Sequence, residues 1–295
     1  MGGHLFFDDA EAIPIENPMM NLILKQGRLI FAVAIVALGI ENLVCAHSTQ
    51  HVMPFVPEVP MLAYLTGLAF LTAGVAIAIN KSARLAAILL GILFLLCVLV
   101  IEVSNVAAHP ADVGIRTVAF ETLTFCGISW MLAGTLPAER FRSPQWESAE
   151  TALIKAGRYL FAISAIVFGI DHFLVIPVIV SLVPGWIPGS GLFWTYLTAI
   201  AFIAAGISLA ANVLARWAGF MLGVMFMLWV LVLHGPRVVS YPRSHNPDEW
   251  SSALIALAIW GGSWIAACAP SKEAPSKASV PGPRAVESAR ISSLR

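Results

Sequence analysis

The chain reads as eight long apolar blocks divided by polar connections: Leu29–Ala46, Met61–Ile79, Leu85–Ile101, Thr117–Leu136, Tyr159–Val180, Leu192–Ala211, Trp217–Leu233 and Ser252–Ala269. A lipid core about 30 Å thick takes roughly 20 helical residues to cross, so each block predicts a transmembrane helix, the third and seventh at the short end. Isolated glycines inside the blocks, such as Gly74, Gly91, Gly206 and Gly223, would weaken helices in water. In lipid, small residues let helix backbones approach closely.

Composition sharpens this picture. Charged residues make up 12% of the chain, against about 25% in a typical soluble domain. The net charge is zero, so there is no electrostatic footprint for nucleic acid. The opening stretch, "MGGHLFFDDAEAIPIENPMMN", is acidic and lacks the basic start and cleavage site of a signal peptide. Phe6 stands where a myristoylation signal needs Ser or Thr. Cys45, Cys97, Cys126 and Cys268 are isolated in sequence, which argues against thiol–disulfide chemistry and for small apolar packing residues.

Charge also orients the blocks. Eleven Lys and Arg residues fall on the side of the 79–84, 137–158 and 212–216 connections and the parts of the two termini near the spans, against three on the other, Arg116, Arg237 and Arg243; Arg284, Arg290 and Arg295 lie farther along the C-terminal tail. The positive-inside rule then predicts both termini in the cytoplasm. Trp186, Trp194 and Trp250 would mark the outer interface and Trp217 the inner one.

The polar stretch Pro137–Glu150 separates two similar halves. "GRLIFAVAIVALGIEN" from Gly27 matches "GRYLFAISAIVFGIDH" from Gly157, and "YLTGLAFLTAGVAIAIN" from Tyr64 matches "YLTAIAFIAAGISLAAN" from Tyr196. An even number of spans per half returns the chain to its starting side, so the halves share one orientation, unlike inverted transporter repeats. The expected architecture is all-α: eight transmembrane helices as two tandem four-helix bundles in parallel orientation. Its expected divisions are a cytoplasmic segment over 1–26, a first repeat over 27–136, a linker over 137–156, a second repeat over 157–269 and a disordered tail over 270–295.

The residues "GIDHF", "VPGWIPGSGLFWTYLTAIAFIAAG" and "HGPRV" of the second half resemble the DoxX-like membrane proteins. These are four-span bundles of about this half-length, commonly of bacterial inner membranes. The first half departs from the pattern, with "GIENLV" for "GIDHF" and "VPEVP" for "VPGWIP". The resemblance implies a multi-pass protein of the bacterial cytoplasmic (inner) membrane. Some members of that family are associated with thiosulfate–quinone oxidoreduction or with redox-stress complexes.

Ionisable residues inside the blocks are the candidate chemistry. Glu41 and Asp171 each lie 13 residues past an arginine, Arg28 and Arg158, or about 20 Å along a helix. Glu102 and His234 each lie 18 residues past Arg84 and Arg216, about 27 Å along. Each half thus has a first-helix acid and a third-helix titratable group near the outer face, which suggests that the two serve one another as hydrogen-bond partners. Glu121 lies about 7 to 8 Å in from Arg116. Adjacent helical residues project about 100° apart, so one of Asp171 and His172 should face the bundle and the other an edge or the neighbouring half. Arg28 and Arg158 read as cytoplasmic anchors.

Intramembrane charges are costly and face the bundle interior or water. The plain reading of these acids is interhelical hydrogen bonding. The functional reading is a ligand site made of Glu41, Glu102, Glu121, Asp171, His172, His234 and Arg237. His47, His51, His109 and His245, with Glu58, Asp112, Tyr241 and Arg243, would line an outward polar mouth. No metal-ligand motif is present, and the unequal depths of His172 and His234 argue against axial ligation of one haem. The loop "VPGWIPGSGLFW" cannot be one continuous helix and reads as a simple outer connection or as a lid.

The expected function is a binding or accessory component that holds a small hydrophobic or quinone-like ligand, or a partner subunit, in the bilayer. No cofactor motif is evident; a quinone is the cofactor that the protonatable groups would suit. Two alternatives are a proton-coupled transporter of a small solute and a membrane subunit of an oxidoreductase. The first lacks matching acids in the inner half of the spans. The second would need a bound redox cofactor.

Overall fold

The computed structural model describes residues 18–45, 60–136, 144–240 and 247–270. Expectations for the rest lie outside them, including most of the N-terminal segment, residues 137–143 of the linker and the tail beyond Pro270. Among the described residues there is no strand. The helices are α1 (Pro18–Cys45), α2 (Pro60–Ala78), α3 (Ala83–Cys97), α4 (Val103–Ala108), α5 (Val113–Thr135), α6 (Pro144–Leu174), α7 (Ile176–Leu182), α8 (Gly191–Ala211), α9 (Ala215–Leu228), α10 (Gly235–Ser240) and α11 (Pro247–Cys268). A π-helical turn, Val98–Glu102, joins α3 to α4, and a second, Trp229–His234, joins α9 to α10. These two runs are single spans. With α1, α2, α5, α6, α8 and α11, they make eight helices long and apolar enough to cross a membrane.

The eight spans fall where the apolar blocks predict them, with three differences. α1 begins at Pro18 and α6 at Pro144, so residues expected in the N-terminal segment and the linker are helical. Proline opens four spans, α1, α2, α6 and α11, because its missing N–H is unbonded in a first turn anyway. The fifth block does not run unbroken to Val180: α6 stops at Leu174 and α7 starts at Ile176. Pro177 cannot donate to the preceding turn and crowds the residue before it, so the chain bends at Val175 and restarts. The third and seventh spans are longer than their blocks, because the π turns carry them past Glu102 and His234.

Glycines set the close contacts. A Cβ on Gly27 of α1 would lie 2.7 Å from the Gly261 carbonyl oxygen of α11, and one on Gly261 2.6 Å from the Gly27 oxygen. Gly127 of α5 and Gly157 of α6 oppose each other in the same reciprocal way. Gly91 receives the Trp130 indole and Gly223 the Trp264 indole. In lipid, van der Waals contact of this kind supplies association that water would otherwise drive.

Those contacts cross between the halves. α1 packs on α2 and α11, α6 on α8 and α5, and α5 also touches α11. The first helix of each half therefore lies against the fourth helix of the other, with α5 and α11 between them. Two self-contained quartets would place α1 on α5 and α6 on α11 instead.

Matched positions make matched contacts. Asn80 and Asn212, 132 residues apart, both adopt left-handed backbone (φ 58° and 57°), as do Ser82 and Leu214. Asn is among the residues that tolerate this conformation, and both pairs close a turn between spans. The interior differs, however. In the first half Phe70, Phe94 and Phe125 stack in series, with centroids 5.1 and 5.3 Å apart, all fully buried. In the second half Phe202 and Phe226 occupy the matching places, but Ile259 stands for Phe125.

Candidate functional site

The second half carries a cavity at the level where the first has its row of buried phenylalanines. A cavity of about 740 Å³ opens among α5, α6, α7, α8, α9, the second π turn and α11. Helical spacing supplies its walls. Phe168, Asp171 and His172 lie on one face of α6, with Val175 just past its end; Trp194, Thr198 and Phe202 on one face of α8; Thr117 and Glu121 on α5; Ile255 and Ile259 on α11. Pro184, Trp186 and Ile187 of the α7–α8 connection line its end. That connection is fixed rather than loose: the Trp194 Nε1–H donates to the Pro188 carbonyl at 2.9 Å, and Ser190 caps α8 by accepting from the Phe193 N–H at 3.1 Å.

Asp171 and His172 both line this space, and Asp171 reaches the neighbouring half through α5, one of the two places expected for the second residue. Their chemistry separates them. Asp171 is buried and accepts from Arg116 Nε at 2.9 Å, from a second Arg116 nitrogen and from Thr117 Oγ1 at 3.3 Å. An arginine fork with a hydroxyl satisfies a buried carboxylate. His172 instead turns Nδ1 to the Phe168 carbonyl at 2.7 Å. A carbonyl only accepts, so Nδ1 carries the proton. The ring stacks on Trp229 at 6.0 Å, nearly parallel, and meets Phe202 at 5.3 Å.

His234 closes the second π turn. Its Nδ1 meets Glu249 Oε1 at 2.7 Å, and Arg237 lies 3.9 Å from Glu249 Oε2 while donating to the Leu182 carbonyl at 2.9 Å. For the second half, the expected pairing of first-helix acid with third-helix group is therefore corrected. Asp171 pairs with Arg116 and His234 with Glu249, because the fourth helices α5 and α11 supply the partners at that level.

Four of the expected site residues line the cavity: Glu121, Asp171, His172 and His234. Arg237 stands behind His234 through Glu249. Glu41 and Glu102 are buried in the first half, away from the cavity. Glu102 ends the first π turn, and Glu121 lies within its electrostatic reach. In the place that His172 holds, the first half has Asn42, whose Nδ2 donates to Thr66 Oγ1 at 3.2 Å. Asp112 caps α5 by accepting from the Ile115 N–H at 3.0 Å, and His109 sits exposed at the end of α4. His47, His51, Glu58, Tyr241, Arg243 and His245 lie outside the described residues.

Sequence reasoning missed Arg116, Thr117 and Glu249 as members of the site. Their signal was position: each falls in the first turns of a span whose start lies level with the ends of α6 and α10. Arg158, read as a cytoplasmic anchor, is buried. It donates to Asn212 Oδ1 at 2.5 Å and to the Ala269 and Pro270 carbonyls at 3.3 and 2.7 Å. There it caps the carbonyl end of α11, where a cation is favoured. Cys97, Cys126 and Cys268 are free and buried. No group of three metal-ligating side chains occurs among the described residues.

Fold and site together define a multi-pass helical membrane protein with an aromatic-walled internal cavity carrying a few titratable groups. No family model, curated protein or solved structure matches the chain.

Proposed function

We propose that the protein is a binding component of the DoxX-like kind, holding a small hydrophobic or quinone-like molecule in the cavity of its second half. The observation that carries this reading is the cavity itself. Its volume lies within the roughly 300–1,000 Å³ of small-molecule sites, and its apolar wall with a few placed polar groups is their usual composition. His172, His234 and Glu121 are the polar groups that would orient a head group, and Phe168, Phe202 and Trp229 would hold an aromatic body.

A tandem duplication of a four-helix unit, with both halves in one orientation, supports the same reading. The Gly27–Gly261 and Gly127–Gly157 contacts, the two π turns and the two left-handed asparagines recur in step. Duplication freed the halves to diverge, one filled with phenylalanine and the other left open. The charge pattern supports cytoplasmic termini, which would put the cavity toward the outer leaflet, and the resemblance to DoxX-like proteins implies a bacterial inner membrane.

The test is a titration of the detergent-purified chain with a short-tailed benzoquinone and the matching hydroquinone, read by tryptophan fluorescence. Trp186, Trp194 and Trp229 line the cavity. Saturable quenching by at least one of the two, weakened by Thr198→Trp, is expected. Linear, non-saturating quenching by both, the same in wild type and variant, would reject the reading.

A further inference from the structure

The hydrogen-bond polarity of the cavity is set by what lies behind it. His172 Nδ1–H is committed to the Phe168 carbonyl. In the neutral ring Nε2 is then a lone pair, an acceptor with nothing to donate. The Nδ1 bond holds the imidazole against its own helix, so the edge bearing Nε2 is the one turned away from it.

His234 is built alike from different parts. Its Nδ1 faces the Glu249 carboxylate oxygen Oε1, which accepts, and Arg237 stands beside the other oxygen. Nδ1 is again the donor and Nε2 again the acceptor. No hydrogen bond from a described residue reaches either Nε2. Glu121 adds a carboxyl to the same wall, and no described residue hydrogen-bonds to it. Asp171 is withdrawn from this set, because Arg116 and Thr117 already occupy it.

We infer that the cavity selects ligands bringing a hydrogen-bond donor, a phenol-type hydroxyl on an aromatic body, over the same body with only acceptors. This rests on the binding role proposed above and fixes which member of that ligand class the site takes. The aromatic neighbours agree. Trp229, Phe202, Phe168 and Phe226 offer flat faces, and an aryl ring seated among them can present its hydroxyl to an imidazole Nε2. A bare carbonyl in the same seat would meet a lone pair with a lone pair. Buried acceptors left unpaired discriminate strongly, because they lose water and gain nothing.

The experiment compares 4-hexylphenol with 4-hexylanisole, in which a methyl group replaces the donor hydrogen of the hydroxyl. Both are titrated by tryptophan fluorescence into the full chain in detergent. The phenol is expected to bind about tenfold tighter, the worth of one hydrogen bond of ordinary strength. His172→Phe and His234→Phe should each shrink that ratio, and together bring it near one. Equal or tighter binding of the anisole by the wild-type chain would overturn the donor preference and leave the cavity a ligand site. A ratio unchanged in the double variant would also overturn it, by moving the selection away from these rings. Saturable binding of neither compound would overturn both the preference and the binding role.

Discussion

Asp171 and His172 are neighbours in sequence with opposite duties. Asp171 is a structural counter-charge for Arg116, and His172 is a group the cavity can use. Asp171→Asn should therefore cost about 1.5–3 kcal/mol, the range for hydrogen bonds to charged groups, and lower the melting temperature in detergent by several degrees. Replacing both partners, Arg116→Leu with Asp171→Leu, should recover much of that loss, since no charge is then left unpaired. His172→Phe should leave the melting temperature near wild type and weaken phenol binding. If the two single variants exchange these phenotypes, the assignment of roles is reversed. The sequence showed Asp171 as an acid in the span and gave its depth. It did not show the partner, because Arg116 lies 55 residues away and meets Asp171 only through the packing of α5 on α6. Glu249 escaped notice for a similar reason: it precedes the apolar block, and only the helical start at Pro247 brings it level with His234.

Between elements, the reciprocal glycine contacts decide where backbones meet. A side chain on Gly157 would strike the Gly127 carbonyl oxygen, and one on Gly261 the backbone of Phe31 at 2.6 Å. Backbone cannot yield as a flexible side chain can, so Gly157→Leu and Gly261→Leu should each cost several kcal/mol by overpacking. Gly185, with open space around its Cβ position, is the control: Gly185→Ala should melt with the wild type. Thermal denaturation in one detergent settles the comparison, and equal melting of all four chains would contradict the interface. Helix existence was legible throughout, since lipid forces every span to satisfy its own backbone and the apolar blocks mark where that happens. The π turns were not legible. Each is one residue out of step with its helix, and a hydropathy block carries no trace of it. Their ends at Glu102 and His234, the two residues singled out by depth, fit the tendency of π turns to sit at functional positions.

At the scale of the molecule, the halves interlock through their first and fourth helices and differ in what fills them. The repeat was readable from "GRLIFA" against "GRYLFA" and from the paired "YLT" helices, but the exchange of partners was not. A sequence offset says which residues correspond and nothing about which copy they touch. The hollow interior was also hidden, because it depends on Ile259 standing where the first half has Phe125. Ile259→Phe should narrow the cavity and weaken ligand binding several-fold with little loss of stability, as Phe125 is accommodated fully buried among its neighbours. Unchanged affinity in that variant would mean that the ligand sits elsewhere. Orientation has its own test. A reporter active only outside the cytoplasm should be silent when fused within 137–143 and active within 109–112; the reverse pattern would put the cavity at the cytoplasmic face.

The central claim is that the second-half cavity holds a small molecule. Native mass spectrometry of the chain extracted gently from its own membrane tests it most directly. The account predicts an adduct of a few hundred daltons on the wild-type chain, lost from Thr198→Trp, whose indole would fill the space. A wild-type chain that flies bare, or an adduct that survives in Thr198→Trp at the same occupancy, would contradict it.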